Sequence, residues 1–407
     1  MPVITIFSGI FCLEEPVIRQ VISDTGYKLI TDNDIVKEAS AVSGIAEAKI
    51  IRAFNAKNSI FNKFTHEKER SIAHLKFSLA NMLFSSDNFI ISGFTSMLVP
   101  EEISHVLRVC LIADMKNRLS IAGKRDRLSE NEAAKKIHKQ DENCAVWINT
   151  IFQNKDPWAP SLYDIVIPVD KASVREAAET IIKNLKKDVV IPTEDSKKAV
   201  YDFRISASVE IALANEGHNV QVSSRDGLVT IIINKHVLML NRLEEELKSI
   251  AKKVKGVKSV ETKVSKDYYK ADIYRKYDFE LPSKVLLVDD EREFAQTLSE
   301  RLLMRDMGSA IAYDGESALK VVSEDEPEVM ILDLKMPGID GIEVLRRVKQ
   351  SRPDIEVIIL TGHGSEADKE VCMKLGAFAY LHKPVDINVL SETLKKANEK
   401  IRNKLEK

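Results

Sequence analysis

The chain is poor in several things, and each shortage closes a class of function. No apolar run reaches the roughly 18 residues of a membrane-spanning helix. The opening VITIFSGIFCL lacks the basic leader and cleavage pattern of a signal peptide. These two absences predict a cytoplasmic protein for which a membrane is not an expected partner. The only cysteines are Cys12, Cys110, Cys144 and Cys372, dispersed without metal spacing, which fits packing roles in a reducing compartment. With 60 basic against 62 acidic residues the net charge is −2, so no nucleic-acid footprint is expected. Neither a repeat of fixed period nor a low-complexity tract is visible, which excludes a solenoid or array. What is present is ordinary globular material: 44% hydrophobic and 30% charged residues over 407 positions, enough for about three domains.

Two charged stretches divide the chain, KKDVVIPTEDSKK (186–198) and YYKADIYRKYDFELPSK (268–284). After the second, the apolar runs KVLLV (284–288), VMIL (329–332) and VIIL (357–360) alternate with stretches of helical period. That alternation predicts a doubly wound parallel sheet. In such sheets the ligand site lies outside the carboxyl ends of the strands. Asp289, Asp290, Asp333 and Thr361 each directly follow a strand-like run, so they are expected to converge on one edge.

Gathering three carboxylates is unfavourable, since two unit charges about 4 Å apart repel by roughly 4 kcal/mol at an effective dielectric near 20. A divalent cation offsets this, and an all-oxygen donor set favours Mg²⁺. Asp333 is then placed to act as a nucleophile forming an acyl phosphate, with Lys383 as the nearby cation and Thr361 supplying a hydroxyl to the new phosphoryl group. Taken alone, Asp289 to Glu291 reads equally well as a helix N-terminus, where carboxylates suit the dipole. LVDDE, ILDLKMPGIDG, LTGHG and YLHKP in this order make that reading insufficient.

On these motifs residues 283–400 resemble a response-regulator receiver domain, a five-stranded (βα)5 module of two-component signalling. The resemblance implies that Asp333 is the phosphorylated residue. It also implies that Asp290, Asp333 and the backbone carbonyl of Lys335 hold Mg²⁺, with Asp289 acting through water. Lys383 is assigned to the phosphate, and Thr361 and Tyr380 form the signal switch, the hydroxyl moving toward the phosphate and the aromatic turning inward behind it. A cis Lys383-Pro384 bond is implied as well.

The first segment (1–187) opens with a strand, VITIF, and a helix started by Glu14, Glu15 and Pro16. Strand-like runs follow at NFIISG (88–93), VLRVCLIA (106–113) and YDIVI (163–167), and Ser173 with Glu176 forms a capping-box pattern. On GYKLITDNDIVKEAS, VLRVCLIADMKNRL, LSENEAAKKIHKQDE, NKDPW and YDIVIPVD this segment resembles the cytidylate-kinase-like branch of P-loop nucleoside monophosphate kinases. A working phosphate loop needs glycines, a Lys and a Ser or Thr. Here it reads SGIFCLEEP, keeping Gly9 but placing Glu14 and Glu15 where an anion would sit. The expectation is a degenerate kinase fold that does not catalyse, with its nucleotide-binding residues unassigned and Arg118, Arg125 and Arg127 read as solvated helix charges.

The middle segment (199–266) carries helix-spaced Ile205, Val209, Ala212 and Leu213. Strands NVQVSS and LVTIIIN then meet across Asp226-Gly227, a hairpin signal. A second stripe, Leu240, Leu243, Leu247, Ile250 and Val254, precedes the strand GVKSVETKV. The order α, β, β, α, β resembles a BON domain, a small α+β module tied to phospholipid or envelope association. Asn234 stands where that family has Gly, and Lys235 and His236 read as a solvated loop. At the end of the chain Ile387, Leu390, Leu394, Ala397, Ile401 and Leu405 follow helical spacing, as the receiver's own last helix or as a coiled-coil seam for a homodimer.

The combined reading is a three-domain α/β signalling protein. It accepts a phosphoryl group on Asp333 from a sensor histidine kinase or phosphotransfer protein, and its upstream domains signal to a downstream protein partner. Two other classes stay open. A receiver-regulated CMP kinase requires nucleotide binding despite SGIFCLEEP, and a membrane-surface adaptor requires lipid association by the middle segment.

Overall fold

The computed structural model describes residues 2–405 apart from 58, 86, 87, 235–239, 266–281, 283, 306 and 363. Two compact units result, one of residues 1–58 with 67–274, the other of residues 59–66 with 275–407. Lys235 and His236 fall outside the described residues.

The first unit is built on a parallel sheet of β1 (Val3–Ser8), β2 (Lys28–Thr31), β3 (Phe89–Ser92), β4 (Val106–Ile112) and β5 (Ile165–Pro168), in the order β2-β3-β1-β4-β5. β1 is VITIFS, buried on both faces along five of its six residues, as a central parallel strand covered by helices must be. Helices cover both faces. One core holds Phe7, Ile35, Leu75, Leu79 and Trp147, and the other Ile4, Ile6, Val17, Val21 and Ile181. The capping box expected at Ser173 and Glu176 is formed.

The same unit contains a three-stranded sheet of β6 (Gln221–Arg225), β7 (Leu228–Ile233) and β8 (Ser259–Val264), with β6 antiparallel and β8 parallel to β7. The α, β, β, α, β order is the observed one. Asp226 and Gly227 both take left-handed φ, 52° and 78°, as the tight hairpin requires. Asp202 holds that turn: its buried carboxylate accepts bonds from the Ser224 hydroxyl and from the Asp226 and Gly227 amides. The stretch 186–198 is not a free linker. The helix Glu194–Asn215 begins inside it and serves two cores, with Val200 and Phe203 joining the first sheet's core and Ile205, Val209 and Leu213 the small sheet's.

The second unit holds a parallel sheet of β9 (Val285–Val288), β10 (Ser309–Ala312), β11 (Val329–Leu332), β12 (Glu356–Thr361) and β13 (Ala379–His382), ordered β10-β9-β11-β12-β13. β9, β11 and β12 are buried along their whole length, which explains their near-continuous Val, Ile and Leu. The closing helix Ile387–Leu405 lays Leu390, Leu394 and Ala397 against one face of this sheet, with Ile387 and Ile401 packed beside them. These residues of the stripe are therefore packed inside the unit, as the receiver's own last helix would pack them. Lys400 and Lys404 fasten the helix's far end by donating to Glu356, a carboxylate buried at the start of β12.

Among the described residues no helix is long and apolar enough to cross a membrane.

Candidate functional site

The β10-β9-β11-β12-β13 order puts the strand reversal between β9 and β11, and ligand sites in such sheets lie at that point, outside the carboxyl ends. β9 delivers Asp289 and Asp290 there, β11 delivers Asp333, β12 ends on Thr361, and β13 leads into Lys383. The sequence-predicted residues are thus brought to one edge.

Asp289, Asp290 and Asp333 each offer a carboxylate oxygen within 4.8 Å of the others; Asp289 and Asp333 are buried and Asp290 is exposed. Lys383 Nζ sits 2.7 Å from Asp289 Oδ2 and 3.1 Å from Asp333 Oδ2. Its stem passes the face of Phe294, with Nζ 4.4 Å from the ring centroid. Burial pushes the Asp289 carboxyl up, an effect that the Lys383 ammonium only partly offsets. Burial alone would lower the Lys383 ammonium, but its bonds to Asp289 and Asp333 outweigh this and hold it above the usual lysine range. The cluster is therefore an anionic pocket with a permanently charged counter-ion. Its donor set is all oxygen, with one exposed carboxylate left for a cation, which fits Mg²⁺ better than a softer metal.

The loop after β11 is shaped around Asp333. The Leu334 amide donates to Asp333 Oδ1 at 2.7 Å, and the Gly341 amide returns to the Leu334 carbonyl at 3.0 Å. A Cβ at Gly341 would collide with the Asp333 carbonyl and lie 2.7 Å from Leu334 Cα, so only glycine lets this loop close. Beside it Asp290, Lys335, Met336, Pro337, Asp340 and Asp368 line an open depression. Thr361 is fully buried, and the Lys383 amide donates to its carbonyl at 3.0 Å. Tyr380 is half-buried, its ring edge-on to His382. The Lys383-Pro384 bond is cis. Gly341 and Phe294 escaped sequence reasoning, because both act through contacts across the fold. The second glycine of ILDLKMPGIDG was the one available signal.

At the corresponding edge of the first unit the SGIFCLEEP loop turns through left-handed Phe11 and Leu13 (φ 65° and 52°). Its own side chains close the loop against the neighbouring strands. The Ser8 hydroxyl donates to Glu14 at 2.6 Å, and the Ser92 hydroxyl donates to the other Glu14 oxygen. The Gly9 and Cys12 amides donate to the Leu111 and Gly9 carbonyls. The recess there is lined by Ser8, Glu14, Thr31, Asp32, Asn33, Ser92 and Gln140, and none of its lining residues is Lys or Arg. Asp32 accepts from the Phe94 and Thr95 amides, and its burial pushes its carboxyl up despite those bonds.

Arg118 departs from the sequence expectation of a solvated charge. It is buried, paired through its two terminal guanidinium nitrogens with Asp141 at 2.7 and 2.8 Å, and bonded through Nε to the Ile10 carbonyl. The helix position suggested solvent, and the long-range partner decided otherwise. Arg125 pairs with its neighbour Asp126 over the Phe11 ring, and Arg127 caps the helix in a left-handed turn. All four cysteines are free and buried, and burial pushes the thiols up, to about 11 for Cys12 and Cys372 and about 12 for Cys110 and Cys144. That is what packing roles require.

The second unit's sheet order and acidic edge are those of a receiver module. Residues 285–395 match the response regulator receiver domain family, and residues 3–171 match the cytidylate kinase-like family. The C-terminal domain is a response regulator receiver domain, and the N-terminal one is cytidylate kinase-like. Among similar solved structures are a receiver domain protein from Clostridium thermocellum (36% identity, 30% of this chain and 98% of that one, TM-score 0.29) and a CheY-like receiver domain protein from Methanospirillum hungatei (25%, 30% and 96%, TM-score 0.29). A third is a response regulator from Burkholderia pseudomallei with a phosphorylated aspartic acid, calcium ion and citrate (27%, 30% and 71%, TM-score 0.27).

Proposed function

We propose that the receiver domain accepts a phosphoryl group on Asp333 from the phosphohistidine of a sensor kinase or phosphotransfer protein, and that the upstream domains pass the change to a protein partner. The observation that carries this reading is Lys383 lying against Asp333 within the three-carboxylate cluster. In the transfer an Asp333 carboxylate oxygen bonds to phosphorus, the phosphorus–nitrogen bond of the donor breaks, and the donor imidazole leaves with the electron pair. Lys383 moves from balancing two carboxylates to balancing the phosphoryl oxygens. Asp290, Asp333 and the Lys335 carbonyl would hold Mg²⁺, with Asp289 acting through water. When bound, that ion neutralises the charge developing on the phosphoryl oxygens. Thr361 and Tyr380 read the phosphorylated state, the hydroxyl closing on the phosphate and the ring settling behind it.

The kinase-like domain has no phosphoryl-transfer role in this reading. A carboxylate held by two serines fills its phosphate seat, and its Arg118 is neutralised by Asp141. The middle segment is read as BON-like on its α, β, β, α, β order, with a structural or interaction role, and the protein as cytoplasmic. Intact-mass analysis with acetyl phosphate and Mg²⁺ tests the proposal: one phosphoryl adduct is expected on the wild type and none on Asp333→Asn. An adduct of equal yield on both would reject Asp333.

A further inference from the structure

Gly364 stands three residues beyond Thr361, just before the helix Glu366–Lys374. Its φ lies outside the left-handed region, unlike that of Gly338 (φ 85°), so its backbone does not call for glycine. Space does. A Cβ at Gly364 would fall on the Tyr380 hydroxyl, 2.9 Å from the ring's Cζ and 3.0 Å from Thr361 Cγ2. By contrast a Cβ at Gly338 would meet nothing within 4 Å.

The Tyr380 hydroxyl in this seat is shielded from water and has no hydrogen-bond partner among the described residues. A buried hydroxyl without a partner is unfavourable, and the ring could reach water by turning outward. What favours the inward position is apolar contact, since Tyr380 packs against the cluster of Met330, Leu332, Val357, Ile359 and Cys372. The two effects oppose each other, so the volume of the side chain at position 364 bears directly on which position the ring takes.

We propose that Gly364 is a positioning residue for the switch: by having no side chain it leaves open the seat that Tyr380 occupies beside Thr361, and any larger residue there drives the ring outward. This rests on the receiver reading above for its functional meaning. The seat itself is a matter of geometry and is tested separately.

The experiment uses the full chain labelled with 3-fluorotyrosine, the Tyr380 ¹⁹F resonance being assigned by its loss in Tyr380→Phe. In the wild type the resonance is expected to show a reduced solvent-isotope shift, as a shielded ring does. In Gly364→Ala it is expected to move to the full isotope shift of an exposed fluorotyrosine, the inward population falling about tenfold or more. Gly364→Ala should also lower the unfolding midpoint, and adding Tyr380→Phe should recover part of that loss, because the atom in collision is gone. An unchanged resonance in Gly364→Ala, or a midpoint that Tyr380→Phe does not recover, overturns the proposal. Parallel acetyl phosphate labelling keeps the two questions apart. An adduct on wild type and Gly364→Ala alike with an unmoved ring rejects the seat alone. No adduct on either with a displaced ring rejects the phosphoacceptor reading alone.

Discussion

Lys383 Nζ lies 3.1 Å from Asp333 Oδ2 while also bonding Asp289 at 2.7 Å, so one ammonium holds together two buried carboxylates delivered by neighbouring strands. In the proposed reading this arrangement prepares the site for an incoming anion: the counter-ion is in place, and its partners would hand it over when new negative charge arrives. Replacing Lys383 by Ala removes the charge that the phosphoryl oxygens would meet. The rate of acetyl phosphate labelling is expected to fall about tenfold or more, roughly 1.4 kcal/mol in the barrier. Single-turnover intact-mass kinetics at fixed Mg²⁺ measure it, and a rate within twofold of the wild type, by about 0.4 kcal/mol, would count against this role.

The proposed reading of Glu14 as an occupant of the phosphate seat makes a prediction about ligands. A nucleotide at a hundredfold its Kd would stabilise its domain by about 2.7 kcal/mol, a shift of some degrees in the unfolding midpoint. Neither ATP with Mg²⁺ nor CMP is expected to produce one, because Glu14 occupies the seat through Ser8 and Ser92 and Arg118 is tied to Asp141. Differential scanning fluorimetry at millimolar nucleotide is the check. A saturable shift would restore the receiver-regulated kinase as a live reading.

His74 supplies a pH dependence. It is buried in the helix Glu67–Ser85, and burial, aided by the nearby Arg70 cation, pulls its imidazole from 6.5 down to about 4. The folded state therefore binds fewer protons than the unfolded state between those values, so stability is complete above pH 6.5 and drains away as the pH falls toward about 4. This single group should cost on the order of 2 kcal/mol between about pH 7 and about pH 4.5. The test is the difference in denaturant stability between wild type and His74→Gln across that window. The variant should lose less on acidification, and parallel pH profiles would contradict the assignment.

The receiver was the most legible part of the chain, because β9, β11 and β12 are continuous apolar runs and each leads to a chemically distinctive residue. β10 was not visible: Ser309–Ala312 reads SAIA, with one strong strand former, and pairs only at the sheet edge with β9. β2 was missed for a related reason, since Lys28–Thr31 is a short, half-exposed edge strand. Arg118 was misjudged because local helix position carries no information about a partner 23 residues away. Gly341 and Gly364 have the same character. Each glycine matters for what a Cβ would strike in another element, and only the folded chain reveals that neighbour.

The central claim is that Asp333 carries the phosphoryl group, and the most direct measurement locates it chemically. Borohydride reduces an aspartyl phosphate to homoserine. After treatment with acetyl phosphate and Mg²⁺, tandem mass spectrometry of the digested protein should find homoserine at position 333 and at no other aspartate. Homoserine at Asp289, Asp290 or elsewhere, or none while intact mass still records an adduct, would contradict the account.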